Sequence, residues 1–149
     1  MRIFLVFCFS IIVAVVSAQT IDENLLVASM VRTTCYGKCP YYEVNVYADG
    51  MVTYHGRQHV PYIGHYKANI GEKRVAQLLE KAAAIDYMSL ENKYPLKGLG
   101  IIDFPVCITM VRLKQQEKTI YSRNDTPPRL VAYQDFFDEL IENVEWKKM

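Results

Sequence analysis

The chain has 149 residues, with 17 lysines and arginines against 16 aspartates and glutamates and a formal net charge of +1. So even a balance provides no long-range attraction to nucleic acid or to an anionic membrane surface. The length is that of one domain, and no linker or internal repeat divides it.

Residues 1–18 read as a signal peptide. Arg2 supplies the positive start, Ile3 to Val16 is an apolar run broken only by Cys8 and Ser10, and Val16-Ser17-Ala18 offers small residues for cleavage before Gln19. A retained anchor is the alternative, although the run is short against the roughly 20 residues of a full span. Cys8 sits deep in the apolar run with no small residues just ahead of it, which is not the setting of a lipid-attachment cysteine. The expected product is exported, periplasmic or extracellular, with no stable membrane insertion after cleavage. Of the four cysteines, Cys35, Cys39 and Cys107 remain in it. An odd number leaves at least one thiol free, paired between chains or bound to something.

Residues 19–149 read as a single α+β domain. Leu25 to Arg32 is apolar and β-capable, a first strand. Tyr42, Val44 and Val46 alternate with Glu43, Asn45 and Tyr47, the period of a half-buried strand, and Met51 to Gly56 continues it after the turn signal Asp49-Gly50. A two-residue loop would set Val44 opposite His55 and Val46 opposite Thr53, mixing polar and apolar groups on one face. A three-residue loop, Ala48-Asp49-Gly50, instead pairs Val46 with Val52 and Val44 with Tyr54, and is the expected one. Glu43 then faces His55 on the outer side, where Tyr41 and Tyr47 also point. Tyr62 to Ile70 gives a fourth, less regular strand.

Glu72 to Tyr87 carries Val75, Leu78, Leu79, Ala82 and Ala83 at helical spacing, an amphipathic helix with one face on the sheet. A loop with Tyr94, Pro95, Gly98 and Gly100 leads to a second hairpin, Val106 to Leu113 and Lys118 to Ser122. Thr126 is the expected cap ahead of Pro127, and the closing helix presents Leu130, Tyr133, Phe137, Leu140, Ile141 and Val144. Four strands, a helix, two strands and a helix imply a mainly antiparallel sheet with both helices packed on one face.

The run Arg32-Thr33, Cys35-Tyr36-Gly37, Cys39-Pro40 and Tyr42 resembles the opening signature of a domain family of unknown function found in small exported bacterial proteins. The likeness continues through Asp49-Gly50, Val52, Tyr54 and Gly56, then Val60 and Gly64. Asp103-Phe104-Pro105 is similar to an Asp-x-Pro feature of the same family, and Lys118 falls where a basic residue is common in it. The resemblance implies the fold and export and names no activity. Cys107 is not part of the signature.

The cysteine loop has two readings. In the first, Cys35 and Cys39 form a structural disulfide across a tight turn, with Gly37 relaxing the backbone and Pro40 fixing the exit, and contribute about 2 kcal/mol. In the second they bind copper or zinc with a histidine, His59 or His55; His65 and Cys107 are further available ligands. Cys-x-x-x-Cys-Pro is similar to the copper loop of Sco-type chaperones, but there the motif leads into a helix and here Pro40 leads into a strand. A reactive thiol pair lacks a helix N-terminus beside it. Cys107, between Val106 and Ile108, reads as a buried inert thiol, with a disulfide to Cys35 or Cys39 as the alternative.

No nucleophile elbow, zinc-protease motif, phosphate loop or calcium loop is present. Asp86, Glu91, Asp103 and Asp125 are scattered acids, so an enzyme would need a site assembled only by folding. The expectation is a non-enzymatic binding domain without cofactor, whose partner is a protein or a glycan. The outer face with Tyr41, Tyr47, Met51 and His55 is its candidate surface.

Overall fold

A computed structural model describes residues 26–98 and 100–149. The expected signal peptide, residues 1–18, and Leu25 lie outside the described residues. In chain order the elements are β1 (Leu26–Arg32), β2 (Tyr41–Tyr47), β3 (Met51–Gln58), β4 (Gly64–Asn69), α1 (Glu72–Ala84), a 3-10 turn at Tyr87–Ser89, β5 (Lys93–Tyr94), β6 (Cys107–Leu113), β7 (Gln116–Ser122), α2 (Pro128–Glu142) and β8 (Lys147–Lys148). The strands form one sheet in the order β5-β7-β6-β1-β2-β3-β4-β8.

The α+β class and the succession of four strands, helix, two strands and helix agree with the sequence reading. Two two-residue strands extend it at the margins. β5 runs parallel to β7, and β8 pairs antiparallel with β4. Neither is long enough to leave a periodic signal.

The first hairpin has the expected register, with Val46 opposite Val52, Val44 opposite Tyr54 and Glu43 opposite His55. Gly50 adopts φ +87°, its amide donates to the Tyr47 carbonyl at 3.1 Å, and a Cβ on it would lie 2.7–2.8 Å from the Gly71 backbone. Both the conformation and the close approach require glycine there.

Strand alternation sends Ala28, Met30, Val44, Val46, Val52 and Tyr54 to one face, which α1 and α2 cover with Val75, Leu78, Ala82, Leu130, Tyr133 and Phe137. Glu72 in the first turn of α1 and Lys81 in the last suit the helix dipole. Lys118 also lies on this inner face, where its ammonium donates to the carbonyls of Met88, at 3.0 Å, and Leu90. That role is structural: it ties the 3-10 turn to β7.

Several boundaries differ from the sequence reading. β4 starts at Gly64 rather than Tyr62, because Tyr62 belongs to a loop that crosses β3. α1 ends at Ala84 rather than Tyr87, since Asp86 turns left-handed at φ 54°. Thr126 does not cap α2: Pro127 occupies the cap position and no side-chain hydrogen bond closes that end. β6 begins at Cys107 rather than Val106, and β7 at Gln116 rather than Lys118.

Candidate functional site

Cys35 and Cys39 are joined in a disulfide, with their α-carbons 5.7 Å apart. The loop that carries them is clipped to the segment before β6. The Thr33 amide donates to the Val106 carbonyl at 3.0 Å, the Val106 amide returns a bond to the Thr33 hydroxyl at 2.8 Å, and the Tyr36 amide reaches the Asp103 carbonyl at 3.4 Å. Asp103-Phe104-Pro105 therefore serves the loop through its backbone. Tyr36 stands 93% exposed at the tip.

Beside this loop the inner face of the sheet ends in a charge. The alternation that buries Ala28 and Met30 also sends Arg32 inward, at the level where α2 presents Asp138. Arg32 donates to Asp138 through Nε, at 3.3 Å to Oδ1, and through Nη2 to Oδ2. The Tyr42 hydroxyl donates to the same Oδ1. A guanidinium that directs two N–H donors at one carboxylate is held in a geometrically specific as well as strong contact. Burial pushes the Tyr42 phenol far above its ordinary range, and the Asp138 charge and hydrogen bond push the same way. For Arg32, burial opposes the charge, but the Asp138 hydrogen bond and surrounding negative potential outweigh it and the guanidinium stays protonated.

This ion pair stands between two cavities. One, of about 300 Å³, is lined by Tyr42, Tyr54, His59, Tyr62, Glu142 and Trp146 among others. The second, of about 570 Å³, reaches Cys39, Phe104, Cys107 and Gln134. Arg32, Pro40 and Asp138 line both. In the first, Tyr42, Tyr54 and Trp146 follow one another with ring centroids 5.5 and 5.1 Å apart. Burial lifts the Tyr54 phenol to about 12. The outer wall is the loop from His59 to Tyr62, which crosses directly over Gly56: a Cβ there would lie 1.8 Å from the Tyr62 carbonyl oxygen. Gly56 is thus a condition of the cleft's shape.

The sequence-derived candidates are distributed differently. Tyr41, Met51 and His55 are half-buried on the outer face of the sheet, and Tyr47 is only 8% exposed at the far end of β2. Arg57 lies over the Tyr41 ring, 5.3 Å from its centroid. His55 stacks on His65 with centroids 3.7 Å apart. Slight burial, then Arg57 and His65, lower its pKa against the opposing pull of Glu43. Of the residues considered for a metal, Cys35 and Cys39 are in the disulfide and offer no thiolate in that form. His59 lines the cleft, whereas His55 faces the other side of the sheet. No group of three His, Cys, Asp or Glu side chains suited to a metal ion occurs among the described residues. Cys107 is buried and free, its thiol pushed up to about 12 by burial.

Asp138, Tyr54, Glu142 and Trp146 escaped sequence reasoning as site residues. The available signal was Arg32, a charge at an inward position of an apolar strand, which requires a buried partner.

Among the described residues no helix is long and apolar enough to cross a membrane. The family model for a domain of unknown function (DUF6438) matches residues 27–141. That range runs from Val27 in β1 to Ile141 in α2 and leaves Glu142 and Trp146 of the cleft beyond it. No curated protein and no solved structure matches the chain.

Proposed function

The chain belongs to this domain family of unknown function, and on that premise we propose that it is an exported, non-enzymatic binding domain whose ligand occupies the cleft beside the disulfide loop. The observation that carries the reading is the preformed aromatic cleft closed on one side by the Arg32–Asp138–Tyr42 cluster. Concave sites lined by aromatic side chains with a few placed polar groups are the usual form of a ligand site. The disulfide and the crossing over Gly56 hold the walls in place before any ligand arrives, which lowers the ordering cost of binding. The arrangement contains no nucleophile with an adjacent base: Asp138 is occupied by three donors from Arg32 and Tyr42, and Tyr42 is held protonated. Residues 1–18 act as the signal peptide, and the disulfide suits an oxidising compartment.

Two measurements test this. Mass spectrometry of the exported protein, alkylated in denaturant, should find Gln19 at the N-terminus, one modified thiol without reduction and three after it. Three free thiols with bound copper or zinc would overturn the structural reading of the loop. The emission of Trp146, the single tryptophan of the chain, should shift when the protein meets fractions of the exporting cell's extract. The Tyr62→Ala variant should not respond. No shift with any fraction would overturn the assignment of the cleft.

A further inference from the structure

The charge state of the cleft narrows its ligand. Arg32, Asp138 and the Tyr42 hydroxyl satisfy one another, so the polar wall presents a neutralised pair rather than a net charge. An anionic ligand would have to draw Arg32 away from Asp138 and would face the Glu142 carboxylate at the rim, and breaking a partly buried pair is costly. A neutral ligand can use what is left over. Arg32 uses Nε and Nη2 on Asp138, so the Nη1 donors are not spent on that carboxylate. His59 and Glu142 are exposed at the rim, offering a donor or acceptor and a carboxylate.

The apolar part of the lining has a distinct composition. Apart from Val60 and Ile141 it is aromatic rings and prolines: Tyr42, Tyr54, Tyr62, Trp146, Pro40 and Pro61. Tyr62 is 40% exposed and Trp146 half-buried, so these two rings are within a ligand's reach. Aromatic faces carry negative charge density and favour the polarised C–H bonds of a saturated ring lying against them. A ring with C–H groups on its faces and hydroxyls around its edge meets both halves of this lining. That is a sugar.

The two cavities share Arg32, Pro40 and Asp138, so a ligand longer than one ring would continue past the ion pair into the second. A peptide seated as an added strand is excluded here, because β1, β2 and β3 are interior strands whose ladders are already paired on both sides. From the neutralised pair, the aromatic lining and the adjacency of the two cavities we infer that the ligand is an uncharged oligosaccharide, with one ring against Trp146 and Tyr62 and its hydroxyls on Arg32, His59 and Glu142. This rests on the cleft being the binding site.

The test uses mature, disulfide-intact protein and the emission of Trp146, with isothermal calorimetry as an independent readout. The probes are cellotriose, maltotriose and triacetylchitotriose, with a proline-rich decapeptide as the competing chemistry. At least one trisaccharide should give a saturable shift. Its affinity should change less than about twofold between low and high salt, since no net charge is paired. Tyr62→Ala and Glu142→Gln should each weaken it by roughly tenfold, the loss of one stacking or charge-assisted contact, with the folded circular dichroism spectrum retained. His55→Ala, on the opposite face, should leave it unchanged. A response to the decapeptide alone would overturn the sugar while keeping the cleft as a binding site. No response to any probe in emission or heat, at millimolar concentration, would overturn the sugar as well, and the cleft assignment then stands or falls on the extract experiment. A sugar response unaffected by Tyr62→Ala would place the sugar elsewhere and overturn the inference.

Discussion

Replacing Asp138 by alanine removes the one acceptor shared by Arg32 and Tyr42. The two charged side chains are 23% and 27% exposed, between a surface pair worth up to about 1 kcal/mol and a buried pair whose breaking costs about 3–5 kcal/mol. Tyr42 is only 6% exposed, and a buried hydroxyl left without its partner costs about 1–3 kcal/mol. Taken together the expected loss is about 3 kcal/mol, which for a domain of this size lowers the melting temperature by roughly 10 °C. Urea denaturation followed by circular dichroism measures it. A second variant separates unpaired charge from lost packing: Arg32→Met with Asp138→Leu replaces the pair by apolar groups of similar volume. It should cost clearly less than the sum of the two single changes. If Asp138→Ala costs under about 1 kcal/mol, or if the double variant is simply additive, the cluster does not hold this end of the sheet and the reasoning fails.

The remaining expectations are narrower. Gly50→Ala adds a left-handed penalty of about 1–2 kcal/mol to a methyl 2.7–2.8 Å from the Gly71 backbone, so denaturation should show a loss above about 2 kcal/mol; a loss near zero would mean the β2–β3 turn is free to rearrange. The Tyr133 hydroxyl is buried without a hydrogen-bond partner among the described residues, so Tyr133→Phe should be neutral or stabilising by about 1 kcal/mol, and a clear loss would reveal a partner such as a buried water. Burial raises the Cys107 thiol from its ordinary 9.0 to about 12 and also raises the Tyr54 phenol to about 12. The folded chain therefore holds protons that the unfolded chain releases, and stability should fall from about pH 9 toward pH 12. Cys107→Ala should make that decline shallower, which melting curves across the alkaline range will show.

Much of the fold is legible because its determinants are local. The alternation of Tyr42, Val44 and Val46 against Glu43, Asn45 and Tyr47 states which side is buried, and the need to keep apolar groups together selects the three-residue loop before any coordinates are known. The helices follow from the spacing of Val75, Leu78 and Ala82 and of Leu130, Tyr133 and Phe137. The five-residue span from Cys35 to Cys39 permits a bridge on distance alone, and the fold makes it. Where the reading slipped, a tertiary contact overrode a local preference. Tyr62 and Ile63 have β-forming side chains but belong to a loop laid across Gly56, and Tyr47 is covered although its strand position points outward.

The cleft is of another kind. Arg32 and Asp138 are 106 residues apart in the chain, and Tyr42 and Asp138 are 96 apart. Their meeting depends on β1 lying inside the sheet between β2 and β6 and on α2 returning across the covered face. Periodicity reports which face a residue occupies, not which residue of another element stands above it. The sequence by itself thus determined the two faces of the sheet, the hairpin and the cysteine loop, because neighbours along the chain decide these. Tertiary structure alone brought a guanidinium, a carboxylate and a phenol together beside an aromatic cleft, because the partner of a buried charge is chosen by the packing of whole elements.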